Sequence, residues 1–159
     1  MSKRFVTHDT MVIERTYAAS PARVFAAWAD ESAKAVWMLG SEDDFVPEGY
    51  RLDFRVGGSE WIRGEAAGDV YTYDARYDDI VENERIVFSY YMLRDDVPLS
   101  SSVTSVEFRA DGADTAKTHL VLTEHGMYLD GEDKPALRLE GISAQLDALT
   151  GWLAKNGSA

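Results

Sequence analysis

Between Tyr50 and Glu124 the chain is cut into six strand-like runs by breaks too short to hold a crossover helix. The runs are Tyr50–Val56, Ser59–Glu65, Tyr71–Val81, Arg85–Leu93, Val103–Arg109 and Thr118–Glu124. The breaks, Gly57-Gly58, "AAGD", "ENE", "DDVPLSSS" and "ADGADT", are rich in residues that permit a tight reversal. A parallel pair needs a dozen or more residues to return to the same edge, whereas an antiparallel pair turns in a few. The spacing therefore predicts an up-and-down antiparallel sheet. "MVIERTY", Met11–Tyr17, mixes β-branched and polar residues and reads as one more strand ahead of it.

That first strand stops at "SPARVFAAWAD". Ser20 suits the cap of a helix and Pro21 its first position, where no amide donor is required. Val24, Phe25 and Trp28 then share one face. A second short helix is predicted over Glu31–Met38, ending at Gly40, followed by a loop, "SEDDFVPEG". After the strands the period changes. Leu139, Ile142, Leu146, Leu149 and Leu153 step by three and four, the stripe of an amphipathic helix from Pro135 to Lys155. At 1.5 Å per residue it is ~30 Å long, and the concave face of the sheet is the only large partner for its stripe. The expected fold is α+β: a curved antiparallel sheet of about seven strands around a long C-terminal helix, with two short helices after the first strand. No repeat or linker divides it, so one domain over 1–159, with a core over about 11–154, is expected.

The pair Gly57-Gly58 raises the question of a phosphate loop. Such a loop leads into a helix whose free N–H groups meet the anion. Here it leads into "SEWIRG", which alternates. A hairpin corner is the better reading, and a tight one would set Phe54 opposite Trp61, with Arg55 opposite Glu60 on the solvent side.

The net charge of −12 argues against nucleic acid and against an anionic membrane surface, since both require clustered Lys and Arg. The chain has no cysteine, which excludes disulfide and thiolate chemistry. Its start, "MSKRFVTHDT", has no apolar signal segment, and no run reaches the ~18 apolar residues of a membrane span. A cytoplasmic location is the expectation.

Side chains that could carry chemistry are few. Alternation puts Leu120, Leu122 and Glu124 on one face, so Glu124 points inward if the leucines do. A buried carboxylate there could act as acid, base or hydrogen-bond partner. The other reading is a rim carboxylate, solvated or paired with an arginine. His8, His119 and His125 have no metal-ligand spacing, so no metal site is expected, and no cofactor is implied. Tyr71, Tyr73 and Tyr77 share a face that is either a cavity wall or the convex surface. No nucleophile stands out: the serines of "PLSSSVTS" lie in no Gly-x-Ser-x-Gly elbow. Asp43-Asp44, Asp78-Asp79 and Asp95-Asp96 are adjacent, which sends strand neighbours to opposite faces.

The segments "RTYAASPARVFAAWAD", "DFRVGGSEW", "NERIVFSY", "VEFRADGADTAKTHLVLTEHG" and "EGISAQLDALTGWLA", in this order and spacing, resemble the bacterial stand-alone relatives of the heat-shock-protein-90 ATPase activator domain. That family lies in the START-like, or Bet v-like (SRPBCC), superfamily. The resemblance spans about Met11 to Ala154 and implies the helix-grip fold, with an apolar cavity between sheet and helix. It implies a small hydrophobic or aromatic molecule as partner. The cavity would be walled by Trp37, Phe54, Trp61, Tyr73, Tyr77, Tyr90, Leu122, Glu124, Ile142 and Leu146. Relatives often carry two adjacent tryptophans where this chain has Trp37-Met38, and Gly-Trp where it has Gly141-Ile142, so the cavity should differ in shape. Because the family is functionally scattered, the resemblance also implies two alternatives. One is a cyclase- or hydrolase-like enzyme using a cavity carboxylate, with Glu124 the candidate. The other is a module that stimulates a chaperone ATPase, and many relatives also self-associate as homodimers.

Overall fold

Ser20 opens one helix, and Asp30 closes that helix and opens the next. The Ser20 side chain accepts from the Arg23 N–H at 3.3 Å, and that of Asp30 from the Ala33 N–H at 2.8 Å. These caps hold α1 (Pro21–Ala29) and α2 (Glu31–Leu39) as consecutive short helices after β1 (Val6–Tyr17). The computed structural model describes residues 3–157. Residues 1, 2, 158 and 159, the ends of the expected domain, lie outside the described residues. The remaining elements are β2 (Val46–Leu52), β3 (Ser59–Ala66), β4 (Asp69–Val81), β5 (Arg85–Arg94), β6 (Val97–Asp111), β7 (Asp114–Leu129) and α3 (Pro135–Lys155).

The seven strands form one antiparallel sheet in the order β1-β7-β6-β5-β4-β3-β2. This is the α+β helix-grip architecture: a curved sheet closing over a long C-terminal helix. Under α1 and the C-terminal half of α3 the interior is solid. Val24, Ile86, Val106, Leu120, Leu146 and Leu149 are buried to about the last atom, and Phe25 meets Phe108 edge-on at 5.4 Å. Among the described residues no helix is long and apolar enough to cross a membrane.

Two buried phenols fix the energetics of this packing differently. The Tyr17 hydroxyl donates to the Leu146 carbonyl at 2.9 Å, tying β1 to α3. The Tyr128 hydroxyl, equally buried, meets no protein hydrogen-bond partner among the described residues. Tyr17→Phe should therefore cost about 0.5–1.5 kcal/mol, whereas Tyr128→Phe should be neutral or stabilise by up to about 1 kcal/mol. Urea unfolding of the two variants beside the parent checks the contrast.

The structure corrects several sequence readings. The Gly57-Gly58 corner is not a tight reversal: β2 ends at Leu52, and a loop closes through Asp53 N–H to Ser59 O and Gly58 N–H to Arg55 O. Gly57 lies at φ +83°, and a Cβ on Gly58 would fall 2.1 Å from the Asp53 oxygen, so both glycines are required by the loop. The register becomes Leu52 opposite Glu60 and Arg51 opposite Trp61. Compared with the expected pairing the shift is odd, and an odd shift exchanges the faces. Glu60 therefore points inward and Trp61 outward, where Arg51 lies over its ring at 4.6 Å. Arg55 pairs with Asp53 instead of Glu60.

The "DDVPLSSS" break is also shorter than it reads. Asp95 and Asp96 both adopt positive φ (49° and 66°), which completes the turn in two residues and leaves Val97 onward in β6. In α3 the inward positions at the N-terminal end are Arg138 and Ile142, while Leu139 is exposed.

Candidate functional site

The solid packing gives way at the N-terminal end of α3. Gly141 contributes no side chain, and a Cβ there would meet nothing within 4 Å. A cavity of about 510 Å³ lies between this stretch, the end of α2 and strands β3 to β6. That volume lies within the range of small-molecule sites. Strand alternation supplies its wall: Ile62 from β3, Tyr71 and Tyr73 from β4, Tyr90 and Met92 from β5, and Leu99 from β6. Met38 and Leu39 of α2 and Leu137 and Ile142 of α3 close it from the helix side. Tyr73 and Tyr90 stack at 4.8 Å with their planes tilted by 36°, giving the wall an aromatic panel. The cavity opens beside the exposed Leu137 and the Arg94–Glu132 ion pair. Gln145 donates to the Met38 carbonyl at 3.0 Å, which bridges α3 to the end of α2.

The inner end is polar. Arg138, only 8% exposed, donates from Nη1 to the Tyr90 hydroxyl at 2.8 Å and from Nη2 to Ser100 Oγ at 2.8 Å, and it pairs with Asp133. Tyr90 in turn donates to Glu124 Oε1 at 2.8 Å, and Thr104 donates to the same oxygen at 2.7 Å. Two hydroxyls thus hold one carboxylate oxygen. The other, Glu124 Oε2, has no hydrogen-bond partner among the described residues, and Arg138 Nη1 stands 3.8 Å away. Glu124 lines a smaller void of about 50 Å³, which shares Met38, Tyr73, Tyr90, Ile142 and Gln145 with the large cavity. Burial drives the Tyr90 hydroxyl well above the ordinary phenol range; Arg138 opposes that shift and Glu124 reinforces it. Burial also works against the charge of Arg138, but Tyr90, Asp133 and Glu124 outweigh it and hold the guanidinium protonated.

A second charged group borders the same void. Lys34 and Glu60 are each 1% exposed and meet at 2.8 Å. Lys34 also donates to the Tyr77 hydroxyl at 3.2 Å, and Tyr50 donates to Glu60 Oε2 at 2.6 Å. The ammonium lies 5.0 Å from the Trp28 ring centroid. Burial penalises its charge, yet Glu60 and Tyr77 together raise its pKa above the ordinary lysine value.

Of the residues expected around a cavity, Tyr73, Tyr90 and Ile142 line both spaces, and Trp37, Leu122, Glu124 and Leu146 line the smaller one. Three stand elsewhere. Trp61 faces outward because of the register shift. Phe54, partly buried, packs against the core between Phe25 and Tyr77, at 5.7 and 5.1 Å. Tyr77 is packed solid beside Lys34. The tyrosine parity resolves inward: Tyr71 and Tyr73 face the cavity.

Sequence reasoning missed Arg138, Thr104, Ser100, Lys34, Glu60 and Gln145. Arg138 lies four residues before Ile142 and is a signal in hindsight, since that spacing shares a helix face. Lys34, three residues before Trp37, is another. Nothing local marks Glu60 as buried.

Comparison with known proteins places this geometry among relatives. The family model described as Activator of Hsp90 ATPase homolog 1-like protein matches residues 18–154. An uncharacterised protein from Rhizobium leguminosarum has a solved structure with 38% identity and a TM-score of 0.88, covering 96% of this chain and 99% of its own. The Mll3558 protein from Rhizobium loti shows 40% identity and a TM-score of 0.84, with 94% of this chain and 99% of its own covered. The CV1439 protein from Chromobacterium violaceum is more distant, at 25% identity and a TM-score of 0.68, with 89% and 94% covered. No curated protein matches the chain.

Proposed function

Since the chain belongs to the family of Activator of Hsp90 ATPase homolog 1-like proteins, we propose that it is a receptor for a small hydrophobic or aromatic molecule, held between the sheet and α3. The observation that carries the reading is the 510 Å³ cavity with its apolar wall and the Tyr73–Tyr90 panel. Such a space is held open by two anchors of α3, Arg138 to Ser100 near its N-terminal end and Tyr17 to Leu146 at its middle. Apolar lining with a few convergent polar groups is the usual character of a small-molecule site.

The family description also names a chaperone ATPase. A concave cavity with an apolar wall, rather than a flat exposed face, is the feature that favours a small molecule. In the enzymatic alternative Glu124 would move a proton at a bound substrate. Two hydroxyls already occupy its Oε1, which favours a holding role.

Phenylnaphthylamine, a neutral apolar fluorophore, should brighten on titration with the protein and bind with a negative heat-capacity change. Ile142→Trp, which places on the cavity wall the residue relatives often carry there, should keep the fold and weaken the probe by at least about tenfold by filling its space. No enhancement with the parent, or equal affinity in Ile142→Trp, would remove the reading.

A further inference from the structure

The deep end of the cavity carries more information than its apolar wall. Glu124 is 1% exposed, and its two oxygens differ. Oε1 is saturated by the Tyr90 and Thr104 hydroxyls, both of which donate. Oε2 has no hydrogen-bond partner among the described residues and belongs to a side chain lining the small void that adjoins the main cavity. A buried carboxylate oxygen left unpaired costs as much as a lost hydrogen bond to a charged group. The arrangement is therefore completed by a donor arriving from the cavity.

Desolvation selects the kind of donor. Lys34 lines the same void but is matched by Glu60, and Arg138, whose Nη1 stands 3.8 Å from Oε2, is matched by Asp133. An incoming ammonium would have to shed its own water to reach Oε2. A neutral hydroxyl brings a donor at far smaller desolvation cost. The void of about 50 Å³ has room for one small polar group.

We propose that the cavity selects aromatic molecules bearing a neutral hydroxyl, which enters ring-last and donates to Glu124 Oε2. The inference rests on the receptor reading and names the ligand class that reading leaves open. Specificity follows from the unpaired oxygen, because a site built to accept a hydrogen bond rejects the analogue that lacks the donor.

The test compares naphthol with its methyl ether and with naphthylmethylammonium, by calorimetric titration of the parent protein and of Glu124→Gln. Apolar burial alone ranks the ether first, because it is the less polar of the two. The donor site reverses that order: the parent should bind naphthol at least about tenfold more tightly than the ether, with the ammonium weaker than naphthol. In Glu124→Gln the amide has a fixed orientation, since Tyr90 and Thr104 both donate and so hold the carbonyl oxygen at the Oε1 position. The amide nitrogen then replaces Oε2 and presents donors in place of an acceptor. The preference should fall away or invert in favour of the ether.

If both naphthyl compounds bind the parent but the ether binds equally or better, the hydroxyl assignment is wrong while the receptor reading stands. The same holds if Glu124→Gln keeps the parent's preference. If neither compound nor phenylnaphthylamine binds, both readings fall together. Should Glu124→Gln not fold, the parent's ranking of alcohol over ether decides by itself.

Discussion

Lys34→Met should destabilise the protein by about 3–5 kcal/mol, the cost of leaving a buried carboxylate without its counter-charge. Lys34 and Glu60 are each 1% exposed and 2.8 Å apart, so water cannot replace the missing ammonium. Against a typical domain stability of about 5–15 kcal/mol, the loss is a large fraction of the whole. The pair is not thereby a large net contributor to folding, because desolvation of both ions offsets most of their attraction. The double variant Lys34→Met with Glu60→Gln separates the two statements. The amide carries no charge, and its carbonyl can still accept from Tyr50, which donates to Glu60 at 2.6 Å in the parent. More than half of the loss should therefore return, as judged by urea unfolding of parent, single and double variants. A loss below about 1 kcal/mol for Lys34→Met, the size expected of a solvated pair, would show that the pair is not dry.

The largest response should come from alkali. Tyr17, Tyr77, Tyr90 and Tyr128 are all buried, and burial pushes each phenol up: Tyr77 and Tyr128 to about 12, Tyr17 and Tyr90 further. Unfolded, each titrates near 10.0. Above that pH the unfolded chain loses protons that the folded chain retains, so stability falls as pH rises. The contribution is whole below pH 10 and is lost through about pH 12 and beyond. Lys34 acts in the same direction, since its folded pKa is raised above 10.5 by Glu60 and Tyr77 despite its burial. Each group contributes about 1.4 kcal/mol per pH unit within its window, so four phenols together approach about 5 kcal/mol per unit. An abrupt unfolding between pH 10 and 12 is the expected outcome, with tyrosinate absorbance rising in step with the loss of helical circular dichroism. Smooth ionisation of all tyrosines near pH 10 with the helices intact would contradict it.

The elements of the fold were written locally. Pro135 and Lys155 bound α3 as the change of period requires, and Ser20 caps α1 with its own side chain. The strand ends were less legible. β1 begins at Val6, five residues before the apolar alternation, because Val6 pairs with Leu129 at the far end of β7. No local feature of "VTHDT" encodes that partner. For the site, alternation correctly grouped Leu120, Leu122 and Glu124, and the structure adds that their shared face is the inner one. The same alternation set Trp61 with Phe54 and put Glu60 with Arg55 on the solvent side, and the structure reverses the sides of Trp61 and Glu60. The Asp53–Gly58 loop decides that, and its length was hidden by two glycines that fit either geometry.

From its sequence alone the chain determined a meander of strands gripping a terminal helix, because periodicity and turn chemistry act over a few residues and need no partner. Tertiary structure alone decided where the middle is hollow and which charges it encloses. Arg138 meets Ser100 and Tyr90, and Lys34 meets Glu60, across dozens of residues of intervening chain. The physical reason is that a side chain's burial depends on register and on what packs over it, and both are set only when distant segments meet.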